Sequence, residues 1–139
     1  AKTNYLSNIT PQKSQLNQGP WASLEKKTRA LAKKIGGLYV VTGPLYDPTY
    51  PMCKLPKQPS LMIPNAFFKV ILKRIQSQIS YAAFIMPQKN SQPDFCQYQV
   101  PLGAVSKQTQ LTFLKKGTST NTQLAILLGC TNPKKVKKT

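Results

Sequence analysis

The sequence has 139 residues, 40 % hydrophobic and 9 % aromatic, which suits one globular domain and exceeds what a disordered chain carries. Twenty Lys and Arg face three acids (Glu25, Asp47 and Asp94), giving a net charge of +17, and there is no histidine. No apolar run approaches the roughly 18 residues of a membrane span, so this excess points to a polyanionic partner, nucleic acid ahead of an acidic membrane surface. A lysine-rich surface that only keeps the chain soluble is the plainer alternative, but solubility needs no such imbalance.

In chain order, residues 3–10 read as a strand with Tyr5 and Ile9 half-buried. Residues 11–14 turn the chain, and Ser14 is the expected N-cap of a helix reaching about residue 35. Pro20 conflicts with an unbroken helix because it lacks a backbone donor; it marks either a kink or the true first turn, and the sequence leaves both open. Leu24, Leu31 and Ile35 supply the buried side, Lys26, Lys27, Lys33 and Lys34 the side facing solvent or nucleic acid, and Gly36-Gly37 the stop. Residues 38–42 form a short apolar strand, stopped by Gly43-Pro44. Residues 47–60, with four prolines, read as an extended surface loop. Residues 62–75 follow as a mostly apolar strand carrying Lys69 and Lys73, with 80–86 as its antiparallel neighbour. After a loop at 87–93, residues 95–100 make a third strand, 101–110 a short helix, and 111–114 pack back on it. A polar loop at 117–123, an apolar segment at 124–128 and a basic tail at 132–139 complete the chain. There are no internal repeats, and the predicted class is α+β, a mixed, mainly antiparallel sheet with flanking helices.

The chemistry concentrates at Asn17, Trp21, Glu25 and Arg29, spaced four apart on what reads as one helix. Steps of four keep side chains on one slowly rotating face, so an amide, a carboxylate and a guanidinium look into the same space. That set suits a hydrated divalent cation beside a phosphodiester. Nothing else in the sequence competes, since it has no glycine-rich phosphate loop, no Ser-His-Asp set and no pair of catalytic carboxylates.

The segment SNITPQKSQLNQGPWASLEKKTR at 7–29 closely resembles the DNA/RNA non-specific endonucleases of the ββα-metal (His-Me finger) superfamily, nearest to the secreted nuclease type of Gram-negative bacteria. The resemblance continues through LYVVTGPLY at 38–46, IPNAFFKVI at 63–71, YAAFIMPQ at 81–88 and FCQYQV at 95–100, covering about residues 4–130. It implies a ββα-metal finger and magnesium-dependent hydrolysis of phosphodiester bonds in DNA and RNA, with manganese as a substitute ion. Asn17 matches the family's single protein ligand to magnesium, Glu25 the carboxylate holding metal-bound water, Arg29 the arginine that binds the substrate phosphate, and Asn8 an asparagine beside the catalytic site. Cys96 and Cys130 match a disulfide of the family, whose closure contributes roughly 3–4 kcal/mol by loop entropy. Cys53 is left over, free or paired outside the chain, and a secreted or periplasmic location follows from this cysteine use.

One departure stands out. The family's general base is the histidine of an Asp-Arg-Gly-His motif, on the strand before Ser-Asn-Ile-Thr, and this chain opens at Ala1 with no histidine. The expectation is therefore the C-terminal part of a single endonuclease domain, with residues 1–35 as the second strand and helix of a finger whose first strand is absent from this chain. Either the histidine comes from an N-terminal polypeptide of the same nuclease, or the chain is a catalytically inactive, nuclease-derived nucleic-acid-binding or structural subunit. The expected partners are DNA and RNA through the phosphate backbone and that N-terminal polypeptide, with a homodimer left open and no membrane. Each site residue also has a plainer role: Asn17 as a solvated helix-start amide, Asn8 as a backbone satisfier, Glu25 and Arg29 as a surface helix pair worth a few tenths of a kcal/mol, and Trp21 as core packing rather than base stacking.

Overall fold

The computed structural model describes residues 14–46, 54–55, 58–62, 64–89 and 91–130. The helical region opens with α1 (Ser14–Gln18) and continues as α2 (Pro20–Ile35). Two helices replace the single expected one, because the chain breaks at Gly19 and Pro20 occupies the first turn of α2, where its missing N–H has no carbonyl to serve. Gly36 closes α2 in the left-handed conformation (φ 91°), its N–H donating to the Ala32 carbonyl, and glycine meets that φ without a Cβ penalty.

The sheet begins at β1 (Tyr39–Leu45), followed by a two-stranded ribbon of β2 (Lys54–Leu55) and β3 (Gln58–Met62). This ribbon replaces part of the expected 47–60 loop. β4 (Ala66–Ile75) and β5 (Gln78–Pro87) are the long central pair, and β6 (Gln99–Val100), α3 (Leu102–Thr109), β7 (Thr120–Asn121) and α4 (Gln123–Leu127) complete the described elements. The main sheet runs β1-β4-β5-β6 with antiparallel neighbours, and β7 joins β5 in parallel, giving the mixed, mainly antiparallel α+β architecture expected.

Three local expectations are corrected. β1 runs through Gly43 and Pro44 instead of stopping before them, because among the described residues β1 is an edge strand and alternate N–H groups on an edge face away from the ladder. The strand expected from residue 62 starts at Ala66, after Pro64 and Asn65. Residues Phe95–Tyr98 form a 3-10 turn, with only Gln99–Val100 extended, because Asp94 accepts a hydrogen bond from the Cys96 N–H at 3.0 Å and tightens the chain there. The expected strand at 3–10, with Asn8, and the tail at 132–139 lie outside the described residues.

Burial explains why β4 and β5 read as apolar throughout. Alternate residues of β4 face opposite layers: Phe67 and Ile71 meet Leu16, Trp21, Leu24 and Leu31 of α1 and α2, whereas Phe68 and Val70 meet Val105 of α3. α4 lies on the first layer through Leu124 and Ala125, anchored where the Leu124 N–H donates to the buried Ser80 hydroxyl at 2.8 Å. Cys96 and Cys130 meet at the edge of that layer with Cα atoms 5.3 Å apart, inside the range a disulfide spans.

Gly43 is required by close approach. A Cβ there would sit 2.7 Å from the Phe68 ring, itself buried and edge-on to Phe113 with centroids 6.3 Å apart. Gly43→Ala is expected to destabilise the chain by roughly 1–3 kcal/mol through overpacking, read as a lower urea midpoint at unchanged m-value. An unchanged midpoint would mean that the ring moves aside at no cost.

Candidate active site

On α2, Trp21, Glu25 and Arg29 succeed one another at intervals of four but differ in burial. Trp21 is buried against Phe67 of β4, with ring centroids 5.8 Å apart and planes at 62°, while Glu25 and Arg29 are exposed at the rim. Between α2 and β1 lies a cavity of about 330 Å³, lined by Trp21, Glu25, Thr28, Arg29, Thr42 and Lys69, with Ala32, Leu38 and Val40 as apolar neighbours. No ion pair engages Glu25 or Arg29 among the described residues.

Lys69 is the unexpected member of this group. It sits mid-strand in β4, between Phe67 and Ile71 on the helix-facing layer, with Thr42 of β1 and Phe84 of β5 as cross-strand partners. Only 3 % of it is exposed, and its Nζ lies 4.6 Å from the centre of the Trp21 ring. Burial holds the ammonium well below the usual lysine range, at about 8; the nearby Glu25 carboxylate favours the charged form and the Arg29 guanidinium opposes it.

The DNA/RNA non-specific endonuclease family matches residues 1–120 of the chain. The "Nuclease" of Serratia marcescens is 47 % identical over 113 residues, covering 78 % of this chain and 42 % of that protein. The chain belongs to the DNA/RNA non-specific endonuclease family. "Nuclease C1" of Cunninghamella echinulata var. echinulata is 36 % identical over 125 residues (83 % of this chain, 50 % of that protein). Human "Endonuclease G, mitochondrial" is 33 % identical over 124 residues (81 % and 41 %). The chain thus spans half or less of the length of these relatives.

Of the residues singled out from sequence, Glu25 and Arg29 are brought together at one cavity in this family member. Asn17 is exposed on α1, across the Gly19 break from Glu25, and is not among the cavity's lining residues. The reading of one continuous helical face from Asn17 to Arg29 is corrected accordingly, since Gly19 and Pro20 reset the helical phase between them. Lys69 was legible only as a lysine within an apolar strand; the signal was its place in the alternating row Phe67, Lys69, Ile71, where a charge is costly and calls for a reason.

The Lys69 ammonium gives a pH prediction with a definite sign. Its pKa falls from 10.5 in the unfolded chain to about 8 in the fold, so between these values the unfolded chain binds the extra proton. The group therefore opposes folding fully below about pH 8, by on the order of 3 kcal/mol, and this cost fades as pH rises toward 10.5. Urea unfolding of the wild type and of Lys69→Met at about pH 7 and about pH 10 checks it. The wild type should gain on the variant by roughly 2–3 kcal/mol between the two, whereas a pH-independent difference would contradict the burial cost.

Proposed function

We propose that this chain carries the metal- and phosphate-facing part of a sugar-nonspecific endonuclease that hydrolyses phosphodiester bonds in DNA and RNA, with the general-base histidine supplied by a segment outside this chain. The observation that carries this reading is the pairing of Glu25 and Arg29, exposed and without ion-pair partners among the described residues, at the rim of one cavity in a chain of net charge +17. The family relatives named nucleases support it.

The donor set suits magnesium. No group of three or more His, Cys, Asp or Glu is clustered among the described residues, so they offer no all-protein cage, but Asn17 and Glu25 present exposed oxygen donors of the hard kind. When bound, such an ion supplies positive charge against the extra negative charge a phosphodiester gains during in-line attack. In this reading Asn17 would hold the ion through its amide oxygen, and Glu25 would order water by accepting its hydrogens. Arg29 donates to the non-bridging phosphate oxygens, its planar guanidinium matching two of them at once. None of these groups reads a base edge, which accounts for action on both DNA and RNA. Cys96 and Cys130 form a disulfide in this reading, which goes with a secreted or periplasmic compartment.

One second reading is a nucleic-acid-binding subunit without catalysis, which the net charge of +17 would equally serve. One experiment separates the two. The chain is combined with a polypeptide carrying the Asp-Arg-Gly-His segment and assayed on plasmid DNA and on RNA with magnesium. Cleavage of both is expected, with Asn17→Ala and Glu25→Ala each losing about 10²-fold or more and Lys26→Ala staying within about twofold. Wild-type turnover by Asn17→Ala at limiting magnesium would overturn its assignment, and no cleavage by an assembled complex that still binds nucleic acid would favour the second reading.

Binding without cleavage has its own signature. With EDTA present, log affinity for duplex DNA should fall against log salt with a slope of roughly −4 to −5 if about five phosphates are neutralised. Unrelated sequences should bind within a few-fold of one another. A flat salt dependence, or a hundredfold preference for one sequence, would show that phosphate charge is not the determinant.

A further inference from the structure

The main sheet has a second face, away from α2; α3 covers its middle through Val105 and leaves one end open. Tyr39 and Val41 of β1 share that face, because Val40 and Thr42 line the cavity on the α2 side and successive side chains alternate. Tyr39 stands opposite Leu72 of β4, which stands opposite Tyr81 of β5, so two tyrosines flank one leucine in a row across three strands. Leu72 and Tyr81 pack against the second core layer, whereas Tyr39 at the edge is 77 % exposed. Arg74, two residues beyond Leu72 on the same face, is exposed and diagonal to both tyrosines. The turn carrying Lys115 and Lys116, both exposed, leads into Ser119, whose carbonyl accepts from the N–H of Ile79, the cross-strand partner of Arg74. Of the described acids, Glu25 is on α2 at the opposite face and Asp94 caps the 3-10 turn, so neither stands on these strands. A single exposed tyrosine would need no explanation, but one set among three cations with no acid beside them does.

We propose that this end of the sheet is a binding surface for single-stranded nucleic acid, with a base stacked on Tyr39 and the flanking phosphates met by Arg74, Lys115 and Lys116. The choice of nucleic acid as occupant rests on the nuclease reading and on the unopposed positive charge of this face. The surface itself lies on the sheet face away from Glu25 and is separate from the cavity. A phenol ring presents a flat, apolar surface to any base, so stacking holds a strand without selecting sequence. A duplex keeps its bases stacked and paired inside, so Tyr39 discriminates single strands from duplexes while the cations serve both. A polypeptide strand added along β1 is the other occupant an open edge takes, but three cations without an acid suit a polyanion better.

The experiment titrates fluorescein-labelled oligothymidylate and, separately, a labelled duplex with the full chain in EDTA, reading anisotropy. Tyr39→Ala should weaken oligothymidylate binding at least about fivefold and leave duplex binding within about twofold of the wild type. Tyr39→Leu, which keeps apolar area without a ring, should show the same loss, and Tyr39→Phe, which keeps the ring, should bind both within about twofold of the wild type. Arg74→Gln should lower the salt slope on the single strand by about one. Because Tyr39 is largely exposed, none of its substitutions removes core packing. Wild-type binding of the single strand by Tyr39→Ala, or equal losses on single strand and duplex, overturns the proposal and leaves this face to a polypeptide partner. Cleavage plays no part in the titration, so failure of the combined protein to cleave nucleic acid would not touch it, and the two readings fail separately.

Discussion

The position of α2 depends on one side chain held from two directions. Trp21 packs T-shaped against Phe67, with ring centroids 5.8 Å apart, and the ammonium of Lys69 lies 4.6 Å from its ring centre, both presented by β4. An indole has a negative face and a positive edge, so a ring and a cation from adjacent same-face positions of one strand fix its tilt as well as its depth. Glu25 and Arg29 stand one and two turns further along the same helix, and their placement at the cavity follows from that anchor. A core of aliphatic side chains would bury comparable area but would not orient the helix about its axis so narrowly.

The sheet beneath makes this arrangement possible because it is covered on both sides. α2 and α4 lie on one face of the β4–β5 pair and α3 on the other, so β4 is locked in register and its odd-numbered positions face α2. A slip of one residue would turn Lys69 toward Val105 and the second layer, where no acidic residue is described to receive it. Burying a charge there would cost more than the fold can spare. The lysine thus helps specify the register, an instance of a buried polar group contributing uniqueness while lowering stability.

Much of this was readable from sequence, and the parts that were not have physical reasons. The β4–β5 pair, α3 and the α+β class followed from apolar runs and their boundaries, since two-sided burial leaves a plain signature in FFKVI and YAAFIM. Glu25 and Arg29 followed from spacing within one helix, and resemblance drew attention to them. The break at Gly19 was less accessible: proline is tolerated both at a kink and at a first turn, and only the surrounding packing decides between them. The 3-10 turn at Phe95–Tyr98 escaped because a single Asp94 hydrogen bond overrides the strand preference of its aromatic residues. Lys69 escaped because its meaning is tertiary, set by which helix residue stands above it.

The most direct test of this account is a double-mutant cycle between Trp21 and Lys69, using Trp21→Leu, Lys69→Met and the double variant, each unfolded in urea near pH 7. If the ammonium–indole contact orients α2, the two losses are not independent. The cycle should then return a favourable coupling of about 1–2 kcal/mol for a desolvated pair. Additivity within about 0.3 kcal/mol would contradict it, meaning that Lys69 is only a tolerated neighbour of Trp21 and that α2 is held by apolar burial alone.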